Sequence, residues 1–233
     1  MTVTLVTGGN RGLGRETVRQ LAALGHTVYL GARDVALGRA AAAELGARFV
    51  PLDVTDDDSV AAAVDAVRRA EGRLDVLINN AGIFEGMVGA EEADVATLRR
   101  VFEVNVFGAV RVTRAFLPLL RASAAPVIVN VSSTLGSFGV ITDPGRHESA
   151  FVLPVYGSAK AALNMLTVQY AKGLPGIRVN AVEPGLTATD LHGLSGPGIQ
   201  PVEQGAEIIV RTATAGPDAP TGTFSDANGP LPW

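Results

Sequence analysis

The sequence has no cysteine, only two lysines, Lys160 and Lys172, and three histidines, His26, His147 and His192. Without thiols there is no disulfide framework and no thiolate nucleophile, and three dispersed histidines without an HExxH pattern argue against a dedicated metal site. No run approaches 18 uninterrupted apolar residues, and the chain opens Met-Thr-Val-Thr-Leu without a basic leader, so the expectation is a soluble, cytoplasmic protein with no membrane partner. A net charge of −4 disfavours a nucleic-acid partner.

What is present is a chain of 233 residues, 47% hydrophobic and 18% charged, with 27 Gly and 13 Pro. That composition and length predict one globular domain over residues 1–233. Strand-like and helix-like segments alternate: strand 3–6, helix 14–24, strand 27–30, helix 35–45, strand 48–52, helix 56–70, strand 74–78, a long helical stretch 91–121, strand 126–132, helix 155–172, strand 177–182, helix 202–214 and strand 222–225. Helix 56–70 reads with Thr55 as N-cap, Asp56, Asp57 and Asp58 in its first turn and Arg68 and Arg69 in its last. Such alternation predicts an α/β fold: a single Rossmann-type, doubly wound parallel sheet with helices on both faces. The least regular stretches, 136–154 and 186–201, follow strands directly and so fall on the edge where ligands bind in such sheets.

Thr7-Gly8-Gly9-Asn10-Arg11-Gly12-Leu13-Gly14 joins the first strand to the first helix. Glycines there let the backbone approach a pyrophosphate while the helix start offers N–H donors, although Gly-x-x-x-Gly-x-Gly is neither the usual dinucleotide pattern nor a Walker loop. The second strand ends in Leu30-Gly31-Ala32-Arg33, with a guanidinium where an acidic side chain would bond a ribose hydroxyl. Residues 1–50 carry six Arg against three acidic residues, net +3 within a negative chain. Arg33 and Arg11 therefore point to NADP(H) over NAD(H), the bland alternative being two solvated surface charges.

Tyr156, Lys160 and Asn164 fall at i, i+4 and i+8 of one helix and share a face. An ammonium near a phenol stabilises the phenolate and suits it to acid–base work. Strand 126–132 ends in Ser132-Ser133, adjacent hydroxyls that point to opposite sides, and position alone does not say which would meet a substrate oxygen.

These residues resemble the short-chain dehydrogenase/reductase family, through Thr7-Gly8-x-x-x-Gly12-x-Gly14, Asn79-Asn80-Ala81-Gly82, Ser133, Tyr156-x-x-x-Lys160 and Pro184-Gly185. The likeness spans nearly the whole chain and is strongest to the NADPH-dependent carbonyl reductases. It implies an oxidoreductase that reduces a ketone or aldehyde to an alcohol. Tyr156 would be the acid, Lys160 would lower its pKa and hold the nicotinamide ribose, and Ser133 would bond the same oxygen. Asn105 would hold a water linking Lys160 to solvent. Asp53 and Val54 would meet adenine, and Asn80 with Ala81 and Gly82 would line the cofactor cleft. Pro184, Gly185, Thr187 and Thr189 would hold the carboxamide.

The partners implied are a small carbonyl or alcohol substrate and further copies of the chain, in a homodimer or homotetramer. Two other readings stay open: an NADP(H) sensor, which would not need the Tyr, Lys, Ser and Asn set, and an NADP-dependent secondary-alcohol dehydrogenase. The 23-residue spacing from Ser133 to Tyr156 is longer than most of the family shows, and residues 137–151 should overhang the active site with His147. His192 falls in the second irregular stretch.

Overall fold

The computed structural model describes residues 1–233 except 190, 192, 194 and 195, so His192 lies outside the described residues. Eight strands form one sheet in the order β3-β2-β1-β4-β5-β6-β7-β8: β1 Val3–Thr7, β2 Thr27–Ala32, β3 Arg48–Pro51, β4 Val76–Asn79, β5 Val127–Val131, β6 Arg178–Val182, β7 Phe224–Asp226 and β8 Gly229–Pro230. All neighbours run parallel except the β7–β8 hairpin. β1, β4 and β5 are buried along their whole length, as expected of central strands covered on both faces.

Alternate residues of one strand feed two different cores. Val3 and Leu5 of β1 pack with Val60, Val64 and Val67 of α3 (Asp57–Glu71) and with Val112, Phe116 and Leu120 of α5 (Gly108–Arg121). Val6 packs on the other face with Val18 and Leu21 of α1 (Gly12–Ala23), Ala41 of α2 (Val35–Leu45) and Ile208 and Ile209 of α8 (Val202–Thr214). Period-2 alternation in the strand and helical spacing on the covering elements produce both layers.

Three local features depart from the sequence expectation. Thr55 does not cap α3: its N–H and hydroxyl both donate back to Asp53 Oδ1 (2.9 and 2.7 Å), so the cap falls to Asp56, which accepts from Asp58 N (2.9 Å) and Ser59 N (3.2 Å). The stretch 91–121 begins only at α4 (Val95–Phe102), where Asp94 accepts from Thr97 N at 2.7 Å, and it widens into a π-helical turn at Glu103–Phe107 before α5. Residues 136–154 contain α6 (Phe138–Ile141) and a 3-10 turn at His147–Ala150, ahead of α7 (Pro154–Gly173). The C-terminal segment anchors this region, since Gly139 N donates to Trp233 O (2.8 Å) and Ser137 Oγ to Pro232 O (2.7 Å).

Candidate active site

The strand order reverses on either side of β1, and a cleft of about 1170 Å3 opens over the carboxyl ends of the strands there. Every residue given a catalytic or cofactor-binding role from sequence, from Gly8 to Thr189, borders this one cleft, whereas Asn79 and Asn164 do not line it.

At one end lies the glycine turn. Gly8 and Gly12 hold left-handed φ values of +64° and +51°, which L side chains rarely adopt. A Cβ on Gly14 would lie 2.3 Å from Gly8 O and 2.4 Å from Asn80 Nδ2, so the turn and helix close only around glycine. Thr7 ties the turn to the loop after β4: its Oγ1 accepts from Asn80 N (3.0 Å) and Ala81 N (2.9 Å), while Asn80 Nδ2 donates to Thr7 O (2.9 Å) and Gly8 O (3.2 Å). α1 starts after Arg11 without a side-chain cap, leaving its first N–H groups to the cleft. Arg11 and Arg33 are exposed and border the cleft, and their guanidiniums have no hydrogen-bond or ion-pair partner among the described residues. Asp34, the nearest carboxylate in sequence, caps α2 by accepting from Leu37 N at 2.9 Å. A dinucleotide fits this donor set: a bare-backbone cradle and two guanidiniums that have no partner among the described residues.

At the other end, Tyr156, Lys160 and Asn164 share the buried face of α7. Asn164 settles the choice between the two serines. Ser132 donates to Asn164 Oδ1, whereas the Ser133 side chain is bonded to Tyr156. Behind them a polar ladder crosses the sheet, with Asn79 Nδ2 donating to Thr113 Oγ1 (3.1 Å) and Asn130 Oδ1 (2.8 Å), and Asn130 Nδ2 to Thr167 Oγ1 (2.8 Å).

Lys160 Nζ donates to Val131 O at 2.9 Å and lies 5.5 Å from the centre of the Tyr156 ring. Burial brings its ammonium down to about 8, against the pull of Glu183. The Tyr156 phenol is pushed well above its ordinary value, first by burial and then by the negative charge of Glu183, with the Ser133 hydrogen bond opposing. The ammonium faces the ring and a backbone carbonyl, and burial disfavours both charged forms.

Asn105 stands in the π-helical turn with both ends of its amide on one residue: Oδ1 accepts from Ile83 N (2.8 Å) and Nδ2 donates to Ile83 O (3.0 Å). It thus pins the 80–83 loop beside the cleft. Asp53 borders the cleft but its carboxylate is engaged by Thr55, and Val54 O accepts from Arg111 Nη1 at 2.6 Å. Thr187 Oγ1 donates to Gly185 O (2.9 Å) and accepts from Gln200 Nε2 (3.1 Å), leaving its hydroxyl occupied within the loop.

Of the overhanging segment, Arg146, His147, Glu148 and Phe151 border the cleft. Arg146 is paired with Glu148 at 2.8 Å, and this guanidinium holds the Glu148 carboxyl below the usual range. Phe84 meets Tyr156 edge-on at 5.3 Å.

One residue escaped the sequence reading. Glu183 follows four buried residues of β6 and borders the cleft, and its carboxylate accepts from Thr134 N and from Gly185 N (2.8 Å). The available signal was a carboxylate between a buried strand end and Pro184-Gly185.

The sequence matches the family model described as short chain dehydrogenase over residues 2–198. Among curated proteins it is 39% identical to the short-chain dehydrogenase anuI of Penicillium roqueforti over 92% of this chain and 89% of that one, and 30% identical to (+)-neomenthol dehydrogenase of Capsicum annuum over 94% of each. Among solved structures it superposes on NADPH-bound carbonyl reductase from chicken fatty liver with a TM-score of 0.87 at 29% identity, covering 100% of both chains. It also superposes on salutaridine reductase from Papaver somniferum with a TM-score of 0.83 at 29% identity, over 97% of this chain and 100% of that one. Motif order, sheet topology and cleft agree with these matches, and the chain belongs to the short-chain dehydrogenase family, as an oxidoreductase of carbonyl and alcohol groups that works with a nicotinamide cofactor.

Proposed function

We propose that the protein reduces a ketone or aldehyde to an alcohol with NADPH. The observation that carries this reading is the pairing of two ends of one cleft: two guanidiniums, Arg11 and Arg33, unpaired among the described residues at the glycine turn, and Tyr156 with Ser133 and Lys160 at the other end. Gly8, Asn10, Gly12, Leu13 and Gly14 hold the pyrophosphate and Arg11 with Arg33 the extra phosphate. Asp53 and Val54 flank adenine, Asn80, Ala81 and Gly82 line the ribose side, and Pro184, Gly185 and Thr189 take the carboxamide.

A bound nicotinamide supplies the hydride. As negative charge builds on the carbonyl oxygen, Tyr156 gives it the phenolic proton and Ser133 donates a hydrogen bond. The Lys160 ammonium adds positive charge nearby, and burial of the group makes each contribution larger than in water. Phe84, Phe151, Leu153 and Leu186 border this end, and its one arginine, Arg146, is already paired, which supports an apolar carbonyl substrate over an anionic one.

The test is NADPH consumption across a panel of quinones, diketones and aromatic aldehydes; turnover with NADH equal to that with NADPH would remove the cofactor assignment. Relatives named as dehydrogenases favour a second direction, oxidation of a secondary alcohol with NADP⁺. Relative rates with ketone plus NADPH and alcohol plus NADP⁺ separate the two.

A further inference from the structure

Arg111 lies in the first turn of α5 and has no part in the mechanism above, yet its guanidinium ties together the end of the cleft given to adenine. Nη1 donates to Val54 O at 2.6 Å, Nε to Asp57 Oδ1 at 2.7 Å in the first turn of α3, and Nη2 to Glu103 Oε1 at 2.9 Å in the π-helical turn. Asp57 is exposed and Glu103 only half-buried, so these ion pairs add little by themselves. The bond to Val54 O differs, because it fixes a peptide plane.

A trans peptide is planar, with its C=O and N–H pointing in opposite directions. In the peptide between Val54 and Thr55 the carbonyl is taken by Arg111 and the N–H by Asp53 Oδ1 at 2.9 Å, so both edges of one plane are held. The Thr55 hydroxyl donates to the same Asp53 oxygen at 2.7 Å, and Asp53 N donates to Ser59 Oγ at 2.9 Å. Asp53 Oδ1 is thereby occupied, while Oδ2 has no hydrogen-bond partner among the described residues, and Asp53 borders the cleft. A carboxylate oxygen, which only accepts, suits an exocyclic amino group that donates. Val54 is confined from the other side as well: a Cβ on Gly108 would lie 2.7 Å from Val54 Cγ2, so α5 starts as close to Val54 as only glycine permits.

We propose that Arg111 is a positioning residue for the adenine half of the cofactor: by fixing the peptide between Val54 and Thr55 it sets the Asp53 carboxylate, whose free oxygen receives the adenine amino group. The π-helical turn that supplies Glu103 to Arg111 also carries Asn105, which holds Ile83. One irregular turn thus braces two walls of the cleft, Val54 through Arg111 and the 80–83 loop through Asn105. Removing the guanidinium frees the peptide to turn and releases the carboxylate from its set direction. The loss falls on binding of the adenine half and leaves the chemistry at Tyr156 unchanged.

This inference rests on the placement of adenine beside Asp53 in the proposed function. Wild type, R111M, D53A and the double variant are titrated by calorimetry with adenosine 2′,5′-bisphosphate, which carries the adenine and the extra phosphate but no nicotinamide. R111M keeps the aliphatic stem and deletes the donors; it should weaken binding by about tenfold, the scale of one lost hydrogen bond. The double variant should bind no more weakly than D53A, because Arg111 acts through Asp53. In turnover, R111M should raise KM for NADPH by the same factor with kcat unchanged. The Thr55 amide, followed by NMR, should exchange about tenfold faster in R111M, while the Ala81 amide, bonded to Thr7 Oγ1, exchanges as in wild type.

Unchanged affinity in folded R111M overturns the proposal, as does an effect that adds in full to that of D53A, or a fall in kcat without a rise in KM. Should wild type bind no 2′-phosphorylated nucleotide, the NADPH reading falls, and the same comparison with AMP and NAD⁺, together with Thr55 exchange, still decides the role of Arg111. Should R111M fail to fold, R111K serves in its place. Its single ammonium does not reproduce a planar fork on three acceptors, so a weakening of about threefold is expected, and affinity equal to wild type overturns the proposal.

Discussion

The two ends of the cleft are built on opposite principles. At the glycine turn Arg11 and Arg33 are exposed and unpaired among the described residues, and the backbone carries the shape; around Tyr156 the side chains are buried and every one of Ser132, Ser133, Lys160 and Asn164 is already hydrogen-bonded. An exposed guanidinium keeps its charge at little cost and suits it to meeting an anion that arrives from solvent. A buried phenol and ammonium lose hydration, so small changes in their neighbours change their protonation. On the proposed reading, one end binds the cofactor and the other moves a proton.

The sharpest way to break that division is Tyr156→Phe, which keeps the ring against Phe84 and deletes the hydroxyl. Turnover is expected to fall by about 10³-fold with NADPH binding retained, measured by nucleotide fluorescence on the variant. Ser133→Ala should follow with a loss on the order of 10²-fold in kcat, because one donor to the developing oxyanion is gone. At the binding end the split reverses. Arg33→Ala should raise KM for NADPH by roughly 10- to 100-fold through a lost charge-assisted contact while kcat and the NADH reaction stay as they are.

Thr7→Val tests the brace between the ends, since it leaves Ala81 N without its acceptor and Asn80 N with Ile78 O alone; a loss of about 2 kcal/mol in denaturant unfolding is expected. A further test is a pH dependence. Lys160 has a folded-state value depressed to about 8 from 10.5, so between those values the unfolded chain binds more protons and stability rises with pH. The cost of burying the charge is thus present in full below about 8 and relieved toward 10.5. Thermal melts of Lys160→Met should gain on wild type at neutral pH, with the gain shrinking through that window.

Much of this was legible in the sequence. Val3–Thr7, the glycine turn and the Tyr156/Lys160/Asn164 spacing are local patterns, and each formed where its periodicity put it. Local patterns failed where a residue had two partners to choose from. Thr55 lost the cap to Asp56 because Asp53 was within reach of its hydroxyl, a turn geometry that spacing does not encode. The long helix hid a π-helical turn, which aims Asn105 at Ile83 rather than along the helix face. Glu183 drew no notice because a single carboxylate after a strand acquires meaning only from β5 and α7 arriving beside it.

The sequence by itself determined the alternation of strands and helices, the doubly wound sheet, the family and the residue types at the cleft, because hydrophobic period, glycine placement and motif order are properties of the chain read in one dimension. Only the tertiary structure decided which serine faces Tyr156, where the Lys160 ammonium points, and that a carboxylate stands behind both. Those outcomes depend on hydrogen-bond partners 23 to 51 residues apart and on how deeply each charge is taken from water, and neither quantity exists until the sheet has closed.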